Sequence, residues 1–171
     1  VIRALMGDIE YEGTVKWGVT TSQSYLPKDN SRDFANGESI LDWLRQFASK
    51  EEDDNTFLRG FLGRMLFSGD EVNKSVNVLS GGEKVRVMLS KLMLLKSNVL
   101  VLDDQTNHLD LESISSLNDG LKNFKGSIIF ASHDHEFIQT LANHIIVLSK
   151  SGVIDRIDET YAELLANQEV Q

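Results

Sequence analysis

The sequence predicts an α/β protein, a mostly parallel sheet with a block of helices inserted between its strands. Three observations lead there. Two short apolar runs, 99–102 and 127–131, have the length and continuous hydrophobicity of strands buried on both faces. Segments with apolar residues at helical spacing separate and follow these runs, and strands joined through helices lie parallel. Between residues 39 and 97 the helical period is not interrupted by any strand pattern, which makes that stretch the inserted lobe.

Taken in order, residues 1–6 read as the end of a helix stopped at Gly7. Residues 14–17 and 19–23 read as two short strands joined near Gly18. The polar stretch 24–36, holding the only proline, Pro27, reads as a loop. Ile40, Leu41, Trp43, Leu44 and Phe47 then mark one helix, and Phe57, Leu58, Phe61, Leu62, Met65 and Leu66 a second. The acidic run 51–54 between them reads as a solvated connector. A polar stretch, 68–77, leads to Leu79-Ser-Gly-Gly-Glu83 and a third helix with Val85, Met88, Leu89, Leu92 and Leu95 on one face. After the strand at 99–102, Leu111, Ile114, Leu117 and Leu121 mark a helix. After the strand at 127–131, Phe137, Ile138 and Leu141 mark another. Residues 145–148 and 153–157 read as a hairpin around Ser151-Gly152, and 161–165 begins a closing helix. The expected division is residues 1–38 with 98–171 as a core and 39–97 as a helical subdomain.

Composition narrows the function. A length of 171 residues suits one compact domain, and ordinary apolar and charged fractions exclude disorder and fibrous structure. No apolar run approaches the roughly 18 residues a spanning helix needs, and the beginning shows no signal-peptide pattern. With no cysteine there is no disulfide framework, thiolate zinc site or thiol nucleophile, which fits a reducing, cytoplasmic home. A net charge of −9 argues against a general nucleic-acid surface, which needs clustered Lys and Arg.

The chemistry gathers in three places. Ser80-Gly-Gly-Glu83 has the pattern of a capping box, in which Ser80 and Glu83 satisfy backbone N–H groups reciprocally. The adjacent Gly81 and Gly82 weaken a helix, and at its N-terminus they allow an anion such as phosphate to approach the backbone. Val99-Leu-Val-Leu-Asp103 delivers a carboxylate to the carboxyl end of a buried strand, the usual ligand crevice of an open α/β sheet. Asp103 there can hold Mg²⁺, and the next residue, Asp104, can orient or deprotonate a water. The second buried strand, 127–131, leads into Ser132-His133-Asp134, placing His133 where it can donate to a phosphate. These three residues are adjacent, and no Gly-x-Ser-x-Gly elbow occurs, so a serine-hydrolase triad is excluded. No Gly-x-x-x-x-Gly-Lys-Ser/Thr loop is present either. Gly13 to Thr20 has the glycine spacing but carries Val19 in the lysine position and lies on expected strands.

Together these residues resemble the ATP-binding cassette superfamily, and within it the ABC-F proteins, soluble tandem-cassette ATPases that act on the ribosome. The similarity runs over essentially the whole chain. Leu79-Ser-Gly-Gly-Glu83 resembles the signature motif, and Val99-Leu-Val-Leu-Asp103 the Walker B strand of a P-loop NTPase. Asn107-His-Leu-Asp110 is similar to the D-loop, His133 to the switch histidine and Gln23 to the Q-loop glutamine. Thr106-Asn-His-Leu-Asp-Leu-Glu-Ser113 is the most family-specific string, whereas membrane transporters usually carry a Ser-Ala-Leu-Asp type of D-loop. Residues 11–29 also resemble the second, C-terminal cassette of an ABC-F protein.

The resemblance implies a partial ATP-binding cassette whose cofactors are ATP and Mg²⁺ and whose partners are a second cassette and the ribosome. Two cassettes of this family sandwich two ATPs, the signature of one facing the Walker motifs of the other. Ser80, Gly81 and Gly82, with Glu83, are then expected to meet a nucleotide seated on the partner cassette. Asp103 supports Mg²⁺, with Gln23 reaching it through the ATP. Asp104 polarises the attacking water, His133 and Gln23 sense the γ-phosphate, and Asp110 joins the halves.

Three departures qualify this. The Walker A loop is missing and Val1 falls where the family has the helix after that loop, so the chain is expected to be a fragment that binds ATP poorly by itself. Asp104 stands where the family has glutamate, and a displacement near ~1 Å can cost ~100-fold in rate. Gln105 replaces the usual proline without an evident chemical gain. Two alternatives stay open: the nucleotide-binding subunit of a membrane transporter, and a non-hydrolysing module that docks on a partner cassette.

Overall fold

The computed structural model describes residues 1–106, 109–149, 152–156 and 160–169. In chain order these form α1 (Ile2–Leu5), β1 (Gln23–Leu26), α2 (Ile40–Arg45), α3 (Asn55–Arg64), α4 (Gly81–Leu94), β2 (Val99–Asp103), α5 (Leu111–Lys122), β3 (Ser127–Ala131), α6 (His135–Leu141), β4 (Ile145–Ser149), β5 (Gly152–Arg156) and α7 (Tyr161–Glu169). Strands β1, β2 and β3 form a parallel sheet in that order, as the alternation of strands and helices predicts. Gln23 lies opposite Val99, Leu26 opposite Leu102, and Asp103 opposite Ala131. Strands β4 and β5 pair antiparallel, Leu148 opposite Val153. The predicted turn residue Ser151 and strand end Ile157 lie outside the described residues, as do Asn107 and His108.

The core explains why β2 reads as an unbroken apolar run. Its alternate side chains serve two separate layers. Leu100 and Leu102, with Leu26 of β1, join a large cluster that includes Ile40 and Leu44 of α2, Leu58 and Leu62 of α3, and Met88, Leu89 and Leu92 of α4. Val99 and Val101 face the other way, onto Ile2 of α1, Met6, Trp17 and Tyr25. Phe137 of α6 packs edge-on against Phe130 of β3, centroids 5.2 Å apart. Among the described residues, no helix is long and apolar enough to cross a membrane.

Several expectations need correction. Residues 14–17 and 19–23 do not form strands, although Gln23 itself opens β1. Trp17 anchors its segment on the smaller cluster, while Val19 is fully exposed. The strand comes later, inside the expected loop, because Ser24 is buried yet satisfied by the Ser97 hydroxyl at 2.6 Å. A buried polar residue with a partner does not announce a strand by hydrophobicity. β3 is only half-buried rather than covered on both faces, since it lies at the edge of the three-stranded sheet. Leu95 leaves the face assigned to it: it caps the end of α4 and is exposed. The polar stretch 68–77 contains two short 3₁₀ turns that bury Val72 and Val76.

The acidic connector is also tied down more than its composition suggests. Asp54 caps α3 by accepting from the Phe57 N–H at 2.9 Å, Asp53 pairs with Arg45 at 2.6 Å, and Glu52 pairs with Lys96 at 2.5 Å.

Candidate nucleotide site

The candidate residues fall into two clusters and one outlier. The first cluster sits at the carboxyl edge of the parallel sheet. Asp103 ends β2, and because strand side chains alternate it lies on the face of Val99 and Val101. Tyr25 shares that face, and its hydroxyl is pushed up to about 12, first by burial and then by the Asp103 and Asp8 carboxylates. Asp104 follows with φ 56°, a left-handed backbone that turns the chain off the strand. Its N–H donates to the Ala131 carbonyl at 3.0 Å, which ties the turn to β3. His133 leaves the same edge two residues beyond Ala131, with its side chain exposed.

Sequence reasoning missed the groups that hold this edge together. The Lys28 ammonium reaches Asp104 Oδ2 at 2.8 Å. That hydrogen bond, reinforced by the Asp104 charge, holds Lys28 above the usual lysine range. Gln105, buried, donates its side-chain amide to the carbonyls of Leu26 at 3.1 Å, Pro27 at 3.0 Å and Asp103 at 2.9 Å. An amide has two N–H groups, so these three acceptors share them, and the ends of β1 and β2 are bolted together. The expectation that Gln105 brings no chemical gain is therefore overturned, because proline has no donor to make this clamp. Thr106 adds a second tie, its hydroxyl 2.7 Å from that of Ser132 at the end of β3.

The outlier is Gln23. It opens β1 opposite Val99, four register positions from the level of Asp103, or roughly 13 Å at about 3.3 Å per residue. Its side-chain amide donates to the Thr21 hydroxyl at 2.7 Å. The structure thus places Gln23 at the opposite edge of the sheet and does not bring it to the acids as the expected partner of Mg²⁺ and γ-phosphate. The residue that does arrive from beyond β1 is Lys28.

The second cluster is the N-terminus of α4 beside that of α5. The predicted capping box is present: Ser80 Oγ accepts from the Glu83 N–H at 3.2 Å, and Glu83 Oε2 accepts from the Ser80 N–H at 2.8 Å. Ser80 is the exposed residue of this cap, and Glu83 is turned back onto it. Burial pushes the Glu83 carboxyl up, but hydrogen bonds from Ser80 and Lys74 outweigh it and hold it below the usual range. Asp110 caps α5, its Oδ1 accepting from the Ser113 N–H at 2.7 Å. That bond chiefly holds its carboxyl below the usual range.

The two glycines have different reasons to be there. Gly81 is exposed, and a Cβ built on it meets nothing within 4 Å, so this position is open to solvent and to a ligand. Gly82 is buried, and a Cβ there would fall 2.2 Å from Ser113 Oγ and 3.0 Å from Ser113 Cβ. Beyond the expected ligand approach, Gly82 therefore has a packing reason to be glycine, since it lets α4 pack against α5.

Comparison with known proteins agrees with this arrangement. The family described as ABC transporter matches residues 1–107. The chain is 56% identical over its whole length to the uncharacterized ABC transporter ATP-binding protein YkpA of Bacillus subtilis, covering 32% of that protein. It is 40% identical to ABC transporter F family member 2 of Arabidopsis thaliana over 57% of its own length and 14% of the plant protein. It therefore spans about a third or less of these relatives. A putative metal-chelate type ABC transporter in an inward-facing conformation superposes with a TM-score of 0.67 at 18% identity, over 98% of this chain and 72% of the other. That likeness is one of fold. With a strand-borne acid pair, an open Ser-Gly helix start and a family match over most of its length, this chain belongs to the ATP-binding cassette family of the ABC transporters.

Proposed function

We propose that this chain is the C-terminal cassette portion of an ABC-F type ATPase, which binds and hydrolyses ATP in the longer protein and acts on the ribosome. The observation that carries the nucleotide part is the pair of acids at the carboxyl edge of the parallel sheet, Asp103 half-buried and Asp104 fixed by its backbone to β3. The ABC-F assignment is supported by the Thr106-Asn-His-Leu-Asp110 string and by the similarity to the Arabidopsis F family member. On this reading residues 39–97 are the signature subdomain, while 1–38 and 98–171 belong to the ATP-binding core. A second cassette, in the same polypeptide or a dimer, faces α4.

The donor set fits Mg²⁺ carried on a nucleotide. Among the described residues no three His, Cys, Asp or Glu side chains are arranged to hold a metal alone. A single strand-end carboxylate is what Mg²⁺ needs when phosphate oxygens and water fill its other positions. When bound, Mg²⁺ and ATP supply the phosphoryl group and its charge neutralisation. Asp103 would hold the ion, Asp104 would accept from the attacking water, and His133, just beyond β3, would donate toward the terminal phosphate. The open start of α4, Ser80 and Gly81, presents a hydroxyl and backbone N–H groups to a phosphate on the partner cassette. Such sites work by positioning and electrostatics. Gln23 takes no part in this assignment.

The sequence contains no phosphate-cradling lysine loop, so titration of this chain with Mg·ATP should show no micromolar binding. In the full-length protein, Asp104→Asn should lower phosphate release by at least ~100-fold, the low end of what a positioned general base contributes. Equal rates in the variant and the parent would refute the role of Asp104. They would favour the reading as a docking module.

A further inference from the structure

We infer that Lys28 is a positioning residue for Asp104, delivered by the end of β1 and locked in place by Gln105. This rests on the reading of Asp104 as the residue that accepts from the attacking water.

β1 ends at Leu26, and Pro27 then fixes the backbone direction of the departing chain, so that Lys28 projects from a restricted start. The Gln105 amide holds the Leu26 and Pro27 carbonyls on one side and the Asp103 carbonyl on the other. The segment that carries Lys28 therefore cannot move independently of the segment that carries Asp104. Across this clamp the ammonium meets Asp104 Oδ2 at 2.8 Å. The Asp104 side chain is 14% exposed and that of Lys28 is 62% exposed.

A pair with one partner so exposed adds little to stability, because solvent and salt screen it. Its physical effect is on orientation: the ammonium fixes where Oδ2 lies and so defines the plane of the carboxylate. The left-handed turn at Asp104 and its N–H bond to Ala131 fix the backbone of the same residue. Main chain and side chain are thus set by different elements, β3 and the end of β1. An aspartate one methylene shorter than glutamate has little reach to spare, so its direction matters more.

The test is made on the full-length protein carrying this cassette. Lys28→Met should lower kcat for phosphate release by ~10–100-fold and leave KM for Mg·ATP within ~2-fold, the pattern of a misplaced reacting group. Lys28→Arg should recover most of the loss. Lys28→Met combined with Asp104→Asn should be no slower than Asp104→Asn alone, because the two changes remove the same function.

Three results overturn the inference: a raised KM at unchanged kcat, which makes Lys28 a phosphate contact; additive losses in the double variant; or wild-type kcat in Lys28→Met while Asp104→Asn is inactive. If Asp104→Asn itself matches the parent, the functional reading fails, and the inference with it. A second readout does not depend on turnover. The Lys28 side-chain ammonium resonance should shift in Asp104→Asn, and an unchanged resonance overturns the pairing.

Discussion

Replacing Gly82 by alanine separates two explanations for the double glycine. If Gly82 is glycine because a phosphate approaches there, Gly82→Ala leaves the fold intact and harms only binding. The geometry says otherwise. The added Cβ would lie 2.2 Å from Ser113 Oγ and 3.0 Å from Ser113 Cβ, well inside van der Waals contact. Rotation about χ1 can move the hydroxyl but not the Ser113 Cβ, and the Ser113 N–H is pinned by Asp110 at 2.7 Å. Relief therefore needs α4 and α5 to separate, an overpacking cost of about 1–3 kcal/mol. For a chain of this length that lowers Tm by about 2–12 °C. Gly81→Ala, with no atom within 4 Å of its Cβ, should stay within about 0.5 kcal/mol of the parent. Thermal unfolding followed by circular dichroism measures all three proteins. Adding Ser113→Ala to Gly82→Ala removes the closer contact and should restore part of the loss. A Gly82→Ala protein that unfolds within about 1 °C of the parent, with no ligand present, refutes the packing argument.

Gln105→Ala strips a buried donor from three carbonyls and should cost about 1–3 kcal/mol in urea unfolding; a loss under about 0.5 kcal/mol would mean that water replaces the clamp. Asp134→Ala removes the cap that accepts from the Phe137 N–H at 2.7 Å and should cost about 1 kcal/mol, read in the same assay, with unchanged stability as the contrary result. Acid should unfold the chain in a defined window. Glu52, Glu71, Glu83, Asp110 and Glu163 are all held below their ordinary values in the fold, so each contributes stability that is complete above its unfolded value, 4.5 for the glutamates, and is lost as pH falls through the folded value. Tm measured from pH 7 down to 3 should therefore hold steady and then fall below about 4.5. Glu83→Gln should flatten part of that fall, and an identical slope in the variant would remove Glu83 from the account.

Periodicity and caps made most of the fold legible before any coordinates. β2 announces itself because both of its faces are apolar, and the Ser80–Glu83 capping box is present as read, whereas the caps supplied by Asp54, Asp110 and Asp134 emerge only in the structure. β1 was hidden for the opposite reason. Its four residues, Gln-Ser-Tyr-Leu, include a buried serine that is satisfied by Ser97, and hydrogen bonding of that kind leaves no trace in a hydropathy pattern. Placing the strand a few residues too early had a chemical consequence, since it put Gln23 at the end of a strand that it actually begins.

That slip shows where the reading of a site depends on register. In a parallel sheet, ligand chemistry gathers at the carboxyl ends, so an error of four residues moves a side chain from one edge of the sheet to the other. Asp103 and Asp104 were safe from this, because the Val-Leu-Val-Leu run before them fixes the strand end without help from its neighbours. Lys28 and Gln105 had no such run. Their roles exist only through each other's loops: the amide of Gln105 meets carbonyls 78 and 79 positions earlier in the chain, and Lys28 meets a carboxylate 76 positions later. The one signal the sequence did offer was the glutamine in a proline's place. A residue that gains a side-chain amide where the backbone needs none should be read as a candidate clamp, and here the clamp sets both the acid and the lysine that faces it.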